Sequence, residues 1–411
     1  MPSLLYPAMQ KFYSALKSLE SFSKEKNFFE NISSLDTFFS EFRNITFVLQ
    51  KSLAHTEYMA IYEKYRTKYL SDCGWFIKKR NETTKQQPFQ LIKQIELTIY
   101  LPTQGFKISS MKFTVENDVE ISSLIGEFKG LFLKTDPTQV FFSAKFSFYE
   151  KGSDLDIYDE IVRGIQTMSD FLNAVRKDTN ETCELCKKIE DEIKKSNLLL
   201  LPKDMFLITD YVYYPKQDIF DRAMRMAMVM GKEKVTLRRM PLDCFNNGIF
   251  KNFGESTFEK FVLMHAIIGS SDLMPTIMII YKDDTFELDT FHSDIKTTIY
   301  RKINETSMRI ITDEVQEIYF MITYVCLPPS SHLPNMTSYE RMSYTESELL
   351  TFMKVDCELN EEEYVFEGEH LSCENYIINQ MKNGSKKNLD VGKYNMLPII
   401  NAFKQKLEGT K

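Results

Sequence analysis

The sequence predicts an α+β protein: an antiparallel helical bundle with a small antiparallel β-sheet insertion, followed by a mixed α/β C-terminal domain. Three observations predict it. Apolar residues recur at helical spacing from Leu4 to about residue 90, the period switches to strict alternation at Gln90, and the half beyond Pro202 mixes both periods. At 411 residues the chain exceeds what one hydrophobic core usually supports. The expected division is a bundle over 1–90, a β insertion over 91–153, helices over 154–200 that return to the bundle, and a mixed domain over 201–411.

Leu5, Met9, Phe12, Leu16 and Leu19 fall on one face of a first helix. Leu35, Phe38, Phe39, Phe42, Ile45 and Leu49 mark a second, with Ser33 or Ser34 available as N-cap. Tyr58, Tyr62, Tyr65 and Tyr69 form a third stripe, and Trp75-Phe76 opens a fourth segment closed by Pro88. Short connections between such helices favour antiparallel neighbours. Ile95, Leu97, Ile99 and Leu101 then alternate, as do Met111, Phe113 and Val115, and Phe142, Ala144, Phe146 and Phe148. That alternation is the signature of half-buried strands, with Gly105 and Asp136-Pro137 as turn signals.

Ser153-Asp154-Leu155-Asp156 opens a helix whose stripe runs Ile157, Ile161, Ile165, Met168, Leu172, Val175, and a further helix is expected over 181–196. Beyond it, Ile219 to Met230 reads as a helix. Ser256-Thr257-Phe258-Glu259 has the form of a capping box before Phe261, Leu263 and Met264. Thr276–Tyr281 and Thr285–Phe291 read as a hairpin turning at Lys282-Asp283-Asp284. Strands are expected at 315–326, 348–357 and 363–367, with a loop at Pro328-Pro329-Ser330-Ser331 and a terminal helix near 393–407. The acidic run Glu361-Glu362-Glu363, near Glu358, Glu367 and Glu369, reads as an exposed loop.

Composition excludes several classes. A 43% hydrophobic and 27% charged chain is ordinary globular material rather than a disordered one. Fourteen glycines are about half the usual ~7% share, which argues against collagen-like and glycine-rich-loop architectures. No apolar run reaches the ~18 residues of a membrane span, and the apolar start at Met1-Pro2-Ser3-Leu4-Leu5 is too short for a secretory signal. Seven scattered cysteines fit a reduced, cytoplasmic setting with no membrane partner. The net charge of −7 is uneven: residues 1–90 hold 13 Lys/Arg against 9 Asp/Glu, so the rest carries −11. Lys64, Arg66, Lys68, Lys78, Lys79 and Arg80 form a basic cluster suited to phosphates, though charges so spaced also suit a solvated helix face.

Within that cluster stands Trp75-Phe76-x-x-x-Arg80-Asn81, and the second helix holds Phe42-Arg43-Asn44-Ile45. Over about 90 residues these motifs in an aromatic-rich bundle resemble the HEPN proteins, whose active members are ribonucleases with Arg-x(4–6)-His and often Asn after the Arg. The resemblance implies a dimer in which Arg and His cleave RNA without metal, the His moving protons at the 2′-hydroxyl because it titrates near neutrality. Only Arg80 and Asn81 carry over. The positions open to that His hold Lys85, Gln86 and Gln87, and a lysine with an ordinary pKa near ~10.4 is a poor base at pH 7. The catalytic candidates are therefore Arg80, Asn81 and Lys85, in a site expected to be non-catalytic or cryptically active. The resemblance further implies a homodimer, an RNA partner, and a microbial toxin–antitoxin or antiviral-defence setting. The rival expectation is an interaction scaffold whose bundle binds another protein, with Arg80 structural.

Other chemistry is sparse. The chain has no G-x-G-x-x-G, P-loop, G-x-S-x-G or H-E-x-x-H motif. Cys183-Glu184-Leu185-Cys186 is a lone CxxC, with Cys73, Cys244, Cys326, Cys357 and Cys373 dispersed, so core cysteines are expected rather than zinc or a redox pair. No cofactor is implied. Asp284, Glu287, Asp289 and Asp294-Ile295-Lys296 offer a loose acidic-x-Lys arrangement for a Mg²⁺-dependent nuclease. His265 and His292 read as satisfied, half-buried histidines.

Overall fold

Twelve helices and eleven strands alternate along the chain in a computed structural model that describes residues 3–20, 22, 27–71, 73–101, 106–116, 118–126, 138–196, 208–223, 236–248, 250–252, 254–268, 274–329, 333, 336, 338–368 and 393–409, and both counts are of these described residues. The protein is α+β, with a five-stranded and a six-stranded antiparallel sheet. Two compact units divide it: a first of residues 1–96, 112–124 and 145–208, and a second of 97–111, 125–144 and 209–411. The turn signals at Gly105 and Asp136-Pro137, Cys373 and Glu369 lie outside the described residues.

The first unit opens with α1 (Tyr6–Leu19), α2 (Phe28–Leu53), α3 (Met59–Leu70) and α4 (Gly74–Lys85). The N-cap of α2 is Asn27, whose side chain accepts from Glu30 N at 2.8 Å, so the helix begins well before Ser33 and Ser34. Ser34 instead donates its hydroxyl to Glu30 O at 2.9 Å, a back-bond that satisfies it inside the helix. Phe38, Phe39 and Phe42 of α2 meet Phe76 of α4, the Phe42 and Phe76 rings lying 4.7 Å apart. Of the tyrosine stripe only Tyr62 is fully buried.

β1 (Leu91–Leu101), β2 (Phe106–Val115), the short α5 (Ile121–Ile125) and β3 (Val140–Glu150) follow, then α6 (Ile157–Thr179) and α7 (Glu184–Lys195). Asp156 caps α6 by accepting from Tyr158 N. The return helices complete the bundle. α3 packs chiefly on α6 through the Tyr62–Phe171 ring pair, 6.0 Å apart, and the Tyr65 hydroxyl donates to Asp178 at 2.6 Å. α7 packs on α1.

The five-stranded sheet runs in the order β2-β1-β3-β4-β5, with β4 (Ile208–Tyr214) and β5 (Ile219–Arg222) supplied from beyond residue 200. It is therefore not a self-contained insertion over 91–153. Ile219–Arg222 is a strand rather than the start of a helix, because Phe220 pairs with Tyr213 and stacks on its ring at 4.4 Å. The remainder of the expected helix, from 224, lies outside the described residues.

The second unit adds β6 (Thr236–Pro241), α8 (Leu242–Asn246), α9 (Thr257–Ile268), β7 (Thr276–Tyr281), β8 (Thr285–Thr290), α10 (Lys296–Thr312), β9 (Val315–Cys326), α11 (Ser338–Met342), β10 (Ser347–Asp356), β11 (Glu361–Gly368) and α12 (Lys393–Gly409). Its sheet has the order β11-β10-β9-β7-β8-β6, and period two gives it two apolar faces. Met278, Ile280, Tyr319, Met321 and Phe352 face Phe258, Phe261 and Val262 of α9. Ile277, Ile279, Ile318, Phe320 and Val355 face Ile303 and Ile310 of α10 and Ile399 and Phe403 of α12. Helices thus cover both sides of an antiparallel sheet. Ser256 and Glu259 form the capping box of α9: Ser256 Oγ accepts from Glu259 N at 3.1 Å, and Glu259 Oε2 accepts from Ser256 N at 3.2 Å. Glu361–Glu363 is not a loop but part of edge strand β11, where Glu362 pairs in register with Lys354. Charge on an edge strand discourages pairing with another chain.

Candidate nucleic-acid interface

α4 turns its basic run two ways. Phe76, Lys79 and Thr83 are spaced three and four apart on the inward side, whereas Lys78, Asn81 and Lys85 follow the outward side. Lys79 is buried at 3% exposure, so it is not the solvent-facing phosphate ligand the sequence suggested. Its ammonium donates to Glu82 Oε2 at 2.6 Å and to the Glu150 carboxylate at the end of β3. Burial pulls the Lys79 pKa down, but the hydrogen bonds to Glu150 and Glu82 more than reverse this and leave it raised. A lysine so held is a tie between α4 and β3.

Arg80 stands between the two sides, half-buried. Its Nη1 donates to Asn81 Oδ1 at 3.1 Å, while Nε is buried without a hydrogen-bond partner. Asn81, Lys85, Gln86 and Gln87 are exposed. Arg80 and Asn81 are thus in contact, and Lys85 extends from the outer side of the same helix.

The α3 cations are all exposed. Lys64 and Lys68, four apart, share one side, and Tyr65 and Tyr69 share the adjacent one. Lys64 Nζ lies 4.7 Å from the Tyr65 ring centroid and Lys68 Nζ 4.9 Å from that of Tyr69, with the two tyrosine rings 6.0 Å apart. Lys64 also approaches Asp178 at 3.5 Å, and Arg66 pairs with Glu63 at 3.5 Å. In the sequence these cations read as a basic cluster and the tyrosines only as a packing stripe. The missed signal was the Lys-Tyr repeat at 64–65 and 68–69, four residues apart.

The acidic-x-Lys residues are not gathered. Asp284 occupies a left-handed turn position (φ 56°), and Glu287 and Asp289 lie on one face of β8. Buried Glu287 is clamped by Arg309 at 2.6 and 3.0 Å and by Arg238 at 3.0 Å. Burial opposes its ionisation, yet Arg309 and Arg238 hold its carboxyl below the ordinary range. Asp289 pairs with Lys302 at 3.0 Å, Asp294 is half-buried, and Lys296 is exposed at the start of α10. Among the described residues no group of three or more His, Cys, Asp or Glu side chains could hold a metal ion. His265 is fully buried among aromatic rings rather than half-buried. Burial lowers its pKa to about 4, and Nδ1 lies 2.8 Å from Phe261 O. His292 is half-buried.

The CxxC pair divides. Cys186 is buried, as a core cysteine should be, but Cys183 is half-exposed and is the N-cap of α7. No helix among the described residues is long and apolar enough to cross a membrane. No protein-family model, curated protein or solved structure matches this chain.

Proposed function

We propose that the helical unit binds single-stranded RNA on the outer side of α3 without cleaving it, with Lys78 and Lys85 of α4 adding phosphate contacts. The observation that carries this reading is the Lys64-Tyr65/Lys68-Tyr69 repeat, with exposed lysines lying beside half-buried tyrosine rings. Cations beside aromatic rings suit a strand that offers a phosphate and a base face at every step. Non-catalytic binding follows from chemistry: the positions open to the catalytic histidine hold Lys85, Gln86 and Gln87, and Lys79, next to Arg80 in sequence, is held by two carboxylates. A homodimer and a microbial toxin–antitoxin or phage-defence setting are what the HEPN resemblance adds to this proposal, and a cytoplasmic location is what the scattered cysteines add.

The test is binding of a fluorescent single-stranded RNA across a salt series. Lys64→Glu with Lys68→Glu should weaken binding at least tenfold. The salt slope should also flatten by roughly 0.7 per lost phosphate contact. Tyr69→Ala should cost about 1–3 kcal/mol of binding through lost stacking. Lys85→His probes descent from a ribonuclease, and metal-independent cleavage by that variant would mark an altered catalytic centre. The second reading, a protein-binding scaffold, is favoured by the inward commitment of Lys79 and the buried Nε of Arg80. Salt-insensitive or absent RNA binding by the parent protein would select it.

A further inference from the structure

We infer that Cys183 and Cys186 form a redox-active dithiol, with Cys183 the attacking and Cys186 the resolving sulfur, that exchanges with low-molecular-weight disulfides. The two are three residues apart, at the N-cap and in the first turn of a twelve-residue helix, and so share one side of it. Cys183 Sγ, as N-cap, accepts from Cys186 N at 3.3 Å, so backbone dipoles face the sulfur that would carry charge. Burial is unequal in the sense that exchange requires: Cys183 is half-exposed and Cys186 only 1% exposed.

A third group from another segment completes the arrangement. The Ser3 hydroxyl lies 3.8 Å from Cys186 Sγ. Acidity follows the same division. Burial acts against ionisation of Cys183, but hydrogen bonds from Ser3 and from the Cys186 backbone and thiol hold its pKa below the usual thiol value. Burial, together with the hydrogen bond to Cys183, pushes Cys186 up to about 12.

The chemistry balances as ordinary thiol–disulfide exchange. The Cys183 thiolate attacks one sulfur of a small disulfide RSSR, forming Cys183–S–SR and expelling RS⁻, which takes up a proton. Cys186 loses its proton and attacks Cys183 Sγ, giving the Cys183–Cys186 disulfide and a second RSH. RSSR is reduced by two electrons and the dithiol is oxidised by two. In the mixed disulfide the charge on Cys183 is gone, which removes one of the causes that keep Cys186 protonated. The state of the pair would be felt where α1 begins, because Glu181 accepts from Leu4 N and Leu5 N at 2.8 and 3.0 Å.

The experiment equilibrates the full chain in reduced and oxidised glutathione, followed by acid quench and peptide mass spectrometry. The expected results are a Cys183–Cys186 disulfide in the wild type and a trapped glutathione adduct on Cys183 in Cys186→Ser. Cys183→Ser, which keeps an oxygen at the N-cap, should form no adduct on Cys186. In the wild type Cys183 should alkylate with iodoacetamide about tenfold faster at pH 7 than exposed Cys244. Alkylation of Cys183 no faster than Cys244, or an adduct on Cys186 in Cys183→Ser, would overturn the assignment and leave Cys183 a helix cap only.

Discussion

Replacing Lys79 separates the structural part of the basic run from its exposed part. Lys79→Met removes an ammonium that satisfies two carboxylates, Glu82 at 2.6 Å and Glu150 of β3. Deleting one partner of a buried ion pair costs about 3–5 kcal/mol. Here Glu82 and Glu150 keep 29% and 23% of their side-chain surface in water, which takes up part of the deficit. An expected loss of about 2–3 kcal/mol remains after that discount. For a unit of this size each kcal/mol moves Tm by about 2–4 °C, so the drop should be about 4–12 °C. Lys79→Glu, which sets a third carboxylate against two, should be worse. Lys78→Glu breaks only an exposed pair at 3.8 Å and should stay within about 0.5 kcal/mol. The pH dependence has a definite sign. Because the folded pKa of Lys79 is raised above 10.5, its contribution is full below that value and is lost as pH rises through the folded pKa. Circular-dichroism melts of the three variants, repeated above pH 10, test both points. A Lys79→Met protein melting within about 2 °C of wild type would refute the reasoning, as would equal damage from Lys78→Glu.

Three further predictions concern the two cores. Ser256→Ala should cost about 1 kcal/mol by opening the capping box of α9, read by urea denaturation, with Ser256→Asp retaining most of the stability. The pKa of His265 falls from 6.5 to about 4 through burial, so the unfolded chain binds its proton first. Stability should therefore fall as pH drops from 6.5 toward 4, and His265→Phe should flatten that window in a pH series of melts. Gly164→Ala should destabilise the bundle by about 1–2 kcal/mol, since overpacking outweighs the better helix propensity. Its Cβ would fall 2.2 Å from Phe76 Cζ, and Phe76→Leu in the same background should restore part of the loss, as measured by thermal melts.

The sequence displayed this fold wherever local pattern alone decides it. The Ile95–Leu97–Ile99 alternation and the hairpin around Lys282-Asp283-Asp284 became strands because each presents an apolar face at period two. The Ser256 capping box needs partners only three residues apart. What was not legible depends on distant partners. Ile219–Arg222 is too short to show a period, and it is a strand only because β4 lies beside it. Glu361–Glu363 reads as loop by charge, yet β10 pairs with it residue by residue. At the candidate site, the exposure of Lys64, Arg66, Lys68 and Lys78 follows from helical spacing. The fate of Lys79 turns on Glu150, 71 residues away, which no local pattern reveals. Cys183 and Cys186 looked alike in sequence, and only the start of α7 between them separates cap from core.

Two neighbouring cations of α4 therefore have different reasons to be where they are. Packing and charge account fully for Lys79: it is buried, doubly paired and distant in role from any ligand. Arg80 is not accounted for in that way. Its one side-chain hydrogen bond goes to exposed Asn81, and its buried Nε has no acceptor, an arrangement that costs about 1–3 kcal/mol in desolvation. Folding alone would favour an apolar side chain at that position, as it does at Phe76 one turn earlier. The Arg-Asn pair is thus the part of α4 that packing and charge leave unexplained. The lysine beside it, which reads in the sequence as equally suited to bind phosphate, is explained by its two carboxylates.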